Sequence, residues 1–517
     1  MILYTQYNAK LWLLALQQYA LLSSRRRSNF IYIIEFAYTC QSSDCMPILS
    51  KNSIPVAAMC AVLLFLLIDL IFYQQPHHLR FTAEAGEGGP CIDYDQSENT
   101  ITINCNASFL DVVQTINDRD ILENLGNGEY LLNATLEVAD DVTFEMTSSS
   151  SNEDGGLQYL KITGANGIIV HGRIEISGII ITSWDTETDS PVFQTDTGSV
   201  PRAFINLRGS EGGSIQDSEI AYLGYQDFGR RGFDLFGDGP SHDLEIRGSE
   251  FHDMWFAFYS RGAYSITVDG NEYYNNIKYA LDPHSGTHDM SITNNWLHHN
   301  PIGAICSDRC YDILIEGNLV EHNTDYGIFF SRNMHDSIAR NNHVYNTTSG
   351  ITVSESPNNQ IYNNTIEAAT SQGIRLFNPD IPDDGSTEGN IVYNNVISSS
   401  ENGIRSTRSH DNILENNRFS DIESSEYRLG NSSMIIRAQH FDDTVISQEG
   451  SETDSQVEIV DSGIIQVTEG ANDGEEDGDG EDDEERDEEE DEASSYNTDD
   501  EPYRRTLSDG DSITVNS

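Results

Sequence analysis

The 517-residue chain carries 28 basic and 85 acidic residues, a formal net charge of -57, and 37% hydrophobic residues. A surface this acidic repels other polyanions, which excludes a nucleic-acid partner, and it reads most simply as solvation for salty surroundings. The length suits two or three ordinary domains or one long repeat domain, and the seven cysteines form no zinc-type CxxC pair, which excludes a structural zinc site.

Residues 1–52 form an N-terminal extension unlike the rest, and "MPILSKNSIPV" makes Met46 the more natural start. Residues 53–73, "SIPVAAMCAVLLFLLIDLIFY", are long and apolar enough for one membrane-spanning helix. Lys51 and Arg25 to Arg27 precede it, so the remainder is expected outside the cell membrane as a single-pass protein. The alternative is a signal peptide cut near Ala85, giving a secreted protein. Sequons at Asn106, Asn133, Asn346, Asn363 and Asn431 fit an exported chain. Residues 74–150 read as linker, hairpin and N-terminal cap. Cys91 and Cys105 flank the hairpin, and Cys306 and Cys310 flank "SDR" further on; either pair is open to oxidation outside the cell. "SFLDVVQTIN", from Ser108 to Asn117, is expected as an amphipathic helix with Ser108 and Asp111 as a capping box.

Short Ile/Val/Leu/Thr runs broken by Gly, Asn and Asp then replace helical periodicity. Asparagines followed closely by an apolar residue recur at Asn271, Asn295, Asn318, Asn342, Asn364, Asn395 and Asn417, at intervals of 24, 23, 24, 22, 31 and 22. The long interval contains a loop insertion, "NPDIPDDGSTEG". Each unit carries a second short run, such as "YALD", "GAICS", "GIFFS" and "GITVS". A period of that size with several small strands predicts an all-β chain: a right-handed, single-stranded parallel β-helix over residues 151–445, with the asparagines stacked as an internal ladder. Leucine-rich repeats need a Leu-x-x-Leu-x-Leu pattern that is missing. Residues 446–517 read as an acidic, disordered tail, and a monomer is expected.

Residues just after one strand of every coil should line a shared groove. Down the repeat these are Ser260-Arg261, Asp282-Pro283-His284, Ser307-Asp308-Arg309, Ser331-Arg332 and Ser354-Glu355. In so acidic a chain, a column of Arg and His on one face suits a linear polyanion, and an acidic polysaccharide is the natural partner. Taken singly, the same residues read as turn residues, with Arg309 pairing Asp308 and Arg332 pairing Asp336.

"SEIAYLGY" (218–225), "FHDMWFAFYS" (251–260), "KYALDPHSGTHDMSITNN" (278–295) and "GIFFSRNMHDS" (327–337) together resemble successive coils of the alginate (mannuronan) C5-epimerases, within the pectin-lyase-like β-helices. The Tyr-x-x-Asp-Pro-His segment carries most of the resemblance. It implies His284 in proton abstraction, Tyr279 at the same site, and an arginine from a following coil, Arg309 or Arg332. Two positions depart from the family pattern. Ser285 stands where an acidic residue after Asp-Pro-His is usual, and Asp308 splits a serine–arginine pair that recurs intact at Ser331-Arg332. The residue types fit C5 epimerisation: an arginine neutralises the uronate carboxylate, His284 and Tyr279 serve as base and acid, and Asp282 orients the histidine. Arg261, Lys278, Tyr259, Asp308 and Glu355 are expected to hold the polymer. Calcium stays open as a cofactor. Polysaccharide lyase chemistry and non-catalytic glycan binding stay open beside epimerisation.

Overall fold

The computed structural model describes residues 90–469, apart from 149–155, 195–196, 237–238, 380–385, 438–443, 449–454 and 461–464. The expected membrane anchor at 53–73 and the acidic segment after Glu469 lie outside the described residues. No helix among the described residues is long and apolar enough to cross a membrane.

The chain winds through three sheets in turn, one strand of each per coil. A representative coil runs Tyr279–His284 in the first sheet, His288–Thr293 in the second and Trp296–His298 in the third, before Ile302–Cys306 begins the next coil. Equivalent strands pair in parallel with their successors, as Ile292 does with Ile315 and Leu297 with Val320. Alternation explains the local structure: Leu281, Met290, Ile292 and Leu297 point inward and are at most 1% exposed, while Asp289, Ser291, Thr293 and Trp296 between them are half-buried or exposed. One coil cannot enclose these side chains, so each must stack on the next.

The asparagine ladder forms as the spacing predicts. Asn295 Oδ1 accepts from the backbone N–H (3.0 Å) and Nδ2 (3.0 Å) of Asn271; its own Nδ2 donates to Val268 O (3.0 Å) and Asn318 Oδ1 (3.0 Å). The pattern continues through Asn342, Asn364, Asn395 and Asn417. All hydrogen-bonding capacity of each amide in the interior of the ladder is thereby used. Two further ladders occupy the other corners: Asn276–Asn300–Asn323 and Ser337–Asn359–Asn390–Asn412. The intervals of 24 and 23 residues in the first of these were visible in the sequence.

The N-terminal cap is the expected helix, Phe109–Ile116, with Ser108 as N-cap and the reciprocal Ser108–Asp111 box. It lays Phe109 edge-on to Tyr130, ring centroids 5.2 Å apart. A Cys91–Cys105 disulfide closes the antiparallel hairpin Ile92–Asp95/Thr100–Ile103. Parallel stacking begins earlier and ends later than 151–445. Thr100–Ile103 already pairs in parallel with Thr135–Val138, and Thr444–Gln448 with Ile465–Glu469. The N-terminal coils lack the asparagine signature, and the C-terminal strands are interrupted by acidic residues, so neither announced itself by the repeat.

Candidate active site

Near its C-terminal end, the first sheet brings the sequence-derived residues together with a change of register. Tyr259 pairs with Asp282, Ser260 with Pro283 and Arg261 with His284, and His284 bridges to Ser307. Arg261 and His284 are therefore true column neighbours, about 4.8 Å apart along the axis. Arg309 and Arg332 belong to the turn that follows. Backbone bonds Ser285 N–Ser307 O (3.0 Å), Gly286 N–Asp308 O (2.8 Å) and Arg309 N–Arg332 O (2.8 Å) stack that turn from coil to coil. Its residues are left-handed: Gly262, Ser285, Asp308, Arg332, Glu355 and Arg408, with φ of 44–65°. Among the described residues every arginine and glutamate with positive φ (Arg309, Arg332, Glu355 and Arg408) sits here. The Cys306–Cys310 disulfide closes the small loop that presents Asp308 and Arg309.

His284 is held from several sides. Its Nδ1 lies 2.6 Å from Ser285 Oγ, and its carbonyl accepts from Thr287 Oγ1 (2.8 Å), which in turn accepts from buried Ser260 Oγ (2.9 Å). Burial pushes the Asp308 carboxyl up, but the Arg309 guanidinium, a Ser285 hydrogen bond and the nearby His284 together hold it below the usual range. An ionised carboxylate only accepts, so the single Ser285 hydroxyl proton goes to Asp308. Ser285 Oγ is then placed to accept from His284 Nδ1–H. Asp308 thus supplies, from the next coil, the negative charge that Ser285 lacks. Six other histidines (His171, His242, His252, His298, His335 and His343) instead meet carboxylates directly.

Arg309 forks onto Asp308, Nε to Oδ1 at 2.6 Å and Nη2 to Oδ2 at 2.7 Å, although its side chain is 68% exposed. The expected pairing of Arg309 with Asp308 is real. Asp336 pairs with His335. Tyr279 is at the opposite end of the strand from His284, five residues or about 16 Å along the backbone. Its ring lies 5.0 Å from Phe256 and packs on the cluster of Ile302, Ile305 and Phe329. The tyrosine beside His284 is Tyr259, ring centroids 5.6 Å apart. The orienting partner of His284 Nδ1 is Ser285, where the sequence suggested Asp282. Lys278 lies over Trp255 (5.3 Å) at the far end of the strand, and Arg261 over Phe236 (5.6 Å). Glu355 is in the turn column, its carbonyl accepting from Asn333 N (2.7 Å).

Two residues outside the expected site set also belong to this neighbourhood. Arg231 places its guanidinium 4.4 Å from the Tyr259 ring and 4.6 Å from Phe228. Asp234, fully buried and in register with Tyr259, has its carboxyl pushed up to about 7 by burial, against the pull of Arg231. Nothing in "GFDLF" marked it, because its burial depends on the coils stacked either side. Among the described residues no three His, Cys, Asp or Glu side chains converge to hold a metal ion, so no step below runs through calcium.

Residues 197–342 and 232–382 match the family model described as the right handed beta helix region. The chain is 27% identical over 242 residues to a mannuronan C5-epimerase of Pseudomonas putida, covering 44% of this chain and 46% of that protein. It is 27% identical over 188 residues to the mannuronan C5-epimerase of Pseudomonas syringae pv. tomato, 34% of each. The solved periplasmic alginate epimerase AlgG superposes with a TM-score of 0.53 at 20% identity, over 72% of this chain and 85% of that one. This chain is an alginate-epimerase-like right-handed β-helix. It spans less than half the length of the curated relatives it matches. The stretch matched by the right handed beta helix model contains every residue of the turn column from Gly262 to Glu355.

Proposed function

We propose that the protein is a C5-epimerase of a uronate-containing polysaccharide, with the groove over the C-terminal edge of the first sheet as its active site. The observation that carries this reading is the left-handed turn column, where His284, Ser285, Asp308 and Arg332 are held side by side at a backbone cost. In the proposed reaction the C5–H bond breaks, its proton goes to His284 Nε2, and the electron pair moves into the adjacent carboxylate. A proton delivered to the opposite face of C5 completes inversion. The developing charge on the carboxylate needs a bidentate cation. Arg332, in the same turn column as Asp308 and about two strand spacings from Ser285, is assigned that role. Tyr259, the tyrosine against His284, takes the acid role in preference to Tyr279.

Incubation with a panel of polyuronates in deuterated water tests the reading. Deuterium at C5 with inverted residues supports it. Absorbance from unsaturated chain ends, without inversion, would make the same site a lyase. Tight polymer binding with neither product would leave a glycan-binding module.

A further inference from the structure

The coils that build the groove carry a second column, at the start of the second sheet. His242, Tyr264, His288, Tyr311 and His335 stand there in register, one per coil. Their rings stack face to face, centroids 4.5–5.5 Å apart and planes within 23°. Tyr264 follows Arg261, His288 follows His284, Tyr311 follows Arg309 and His335 follows Arg332, each within four residues. On either side, Gly213 pairs with Leu244 and the Ser337 N–H donates to Asn359 Oδ1. Those offsets put Glu211 and Pro357 at the adjoining places, so the ladder is confined to the coils of the groove.

The ladder leans onto the turn. His288 Nδ1 lies 3.0 Å from Gly286 O, in the turn directly after His284, and the near-parallel rings share that lean. His242 and His335 likewise turn Nδ1 to Asp243 (3.0 Å) and Asp336 (2.8 Å). That leaves Nε2 of the three histidines and the hydroxyls of Tyr264 and Tyr311. These five atoms have no hydrogen-bond partner among the described residues, and none of them is buried. Ring faces are spent on one another; polar edges reach solvent at one strand spacing, about 4.8 Å, over about 19 Å. A sugar hydroxyl both donates and accepts, so it suits an imidazole edge and a phenol edge alike. Rings locked by stacking on both sides also lose little freedom on binding. Charge sets the orientation of what lies there. The residue after each rung is left-handed: Asp243, Ser265, Asp289, Asp312 and Asp336, with φ of 50–56°. Four exposed carboxylates thus border the ladder on the side away from the turn, while Arg309 and Arg332 stand in the turn itself. A uronate carboxylate is repelled by the first border and drawn to the second.

We infer that the His–Tyr ladder is the wall of the groove that reads the hydroxyl edge of a linear acidic glycan, about one sugar per rung, with the carboxylates turned to the arginines. This wall presupposes the proposed epimerase groove, since it holds the second edge of the same polymer.

The test uses the full chain and the variant Tyr264→Phe with Tyr311→Phe, which keeps both rings in the stack and removes only the two hydroxyls. Hexamers of mannuronate, guluronate and galacturonate are the probes, beside polyacrylate, a polyanion without hydroxyls. The hexamer that binds wild type best should bind the variant about 5- to 100-fold more weakly, the size of two lost hydrogen bonds. Polyacrylate should bind both proteins alike, and unchanged thermal melting should report an intact stack. Equal hexamer binding by the two proteins, or the same loss with polyacrylate, overturns the ladder as a hydroxyl reader and leaves the stacking structural. Hexamer binding weakened as expected, with no C5 exchange by wild type, keeps the ladder and removes the epimerase reading. C5 exchange with hexamer binding unchanged in the variant does the reverse. A wild type that binds none of the hexamers removes both.

Discussion

At the corner between the second and third sheets, the residue before each ladder asparagine is left-handed: Gly270, Asn294, Gly317, Asn341, Asn363, Asn394 and Asn416. At the corner after the first sheet the left-handed residues are Gly262, Ser285, Asp308, Arg332, Glu355 and Arg408. Both corners make the same backbone turn. The first fills it with the two residue types that tolerate the conformation cheaply. The second also admits long charged side chains, Arg332, Glu355 and Arg408, each at a cost of roughly 1–2 kcal/mol. Where a repeat needs only to close, it stays monotonous. Where it accepts strain at successive coils, the side chains presented there have a task that closing the turn does not explain.

The sharpest test of this contrast exchanges damage between the corners. His284→Ala should lower C5 exchange on the best polyuronate by roughly 10²- to 10⁴-fold, the size of a lost general base, with little change in unfolding midpoint. Near-normal exchange in that variant would show that the strained corner does not house the base. Ser285→Ala should give an intermediate loss and displace the pH–rate profile, because Asp308 then no longer reaches the imidazole.

Asn318→Ala should do the opposite. Its amide accepts from the backbone N–H and Nδ2 of Asn295, and donates to Ile292 O and Asn342 Oδ1. Removing it orphans buried groups on two coils, at about 2–4 kcal/mol. Urea unfolding should show that loss while exchange per folded molecule stays near wild type. A large drop in activity at equal folded fraction would mean the two corners are coupled.

Histidines sharpen the comparison further. His252, on the outer face of the third sheet, meets Asp253 (2.8 Å) and Glu219 (3.3 Å). Burial alone would lower its pKa, but the two carboxylates outweigh it and raise the value to about 9. A raised folded pKa means the stabilisation is complete below pH ~6.5, the unfolded value. It declines as pH rises through about 9. The expected effect is about 2 kcal/mol between pH 6 and 10. Melting temperatures of wild type and His252→Gln should converge at the alkaline end; a gap that widens with pH would refute the clamp. Such a histidine stays protonated near neutrality and is no base, whereas His284 faces a hydroxyl.

The fold was legible because the asparagine period is a direct imprint of stacking: each amide must find its equivalent one coil away, so the spacing survives in the chain. His284, Arg261 and the corner itself were legible for the same reason. What could not be read was register within the corner. One left-handed residue more or less, as with the consecutive pair Asp308–Arg309 at φ 65° and 61°, moves a side chain off its column without altering the period. Tyr279 was grouped with His284 through their shared strand and the Tyr-x-x-Asp-Pro-His resemblance, and the Ser285–Asp308 contact was overlooked. Asp234 was hidden differently, since burial of a polar residue on an outward position depends on coils far away in sequence.

The smallest effect is the most diagnostic. Arg332 has φ of 50°, and Arg332→Gly removes that strain, worth roughly 1–2 kcal/mol. Glycine gives back about 0.5–1 kcal/mol through the greater freedom of the unfolded chain. The net expectation is a variant as stable as wild type or up to about 1 kcal/mol more stable. Its turnover should fall, because the guanidinium assigned to the uronate carboxylate is gone. Asn341→Gly, at the other corner with φ of 55°, is the control. Asparagine bears the conformation at little cost, so that change should neither stabilise the protein nor alter turnover. Stability gained with activity lost at Arg332, against no change at Asn341, would show that the strain is retained for the side chain it presents. Loss of stability at Arg332 would mean that its contacts hold the solenoid together and that the corner is structural after all.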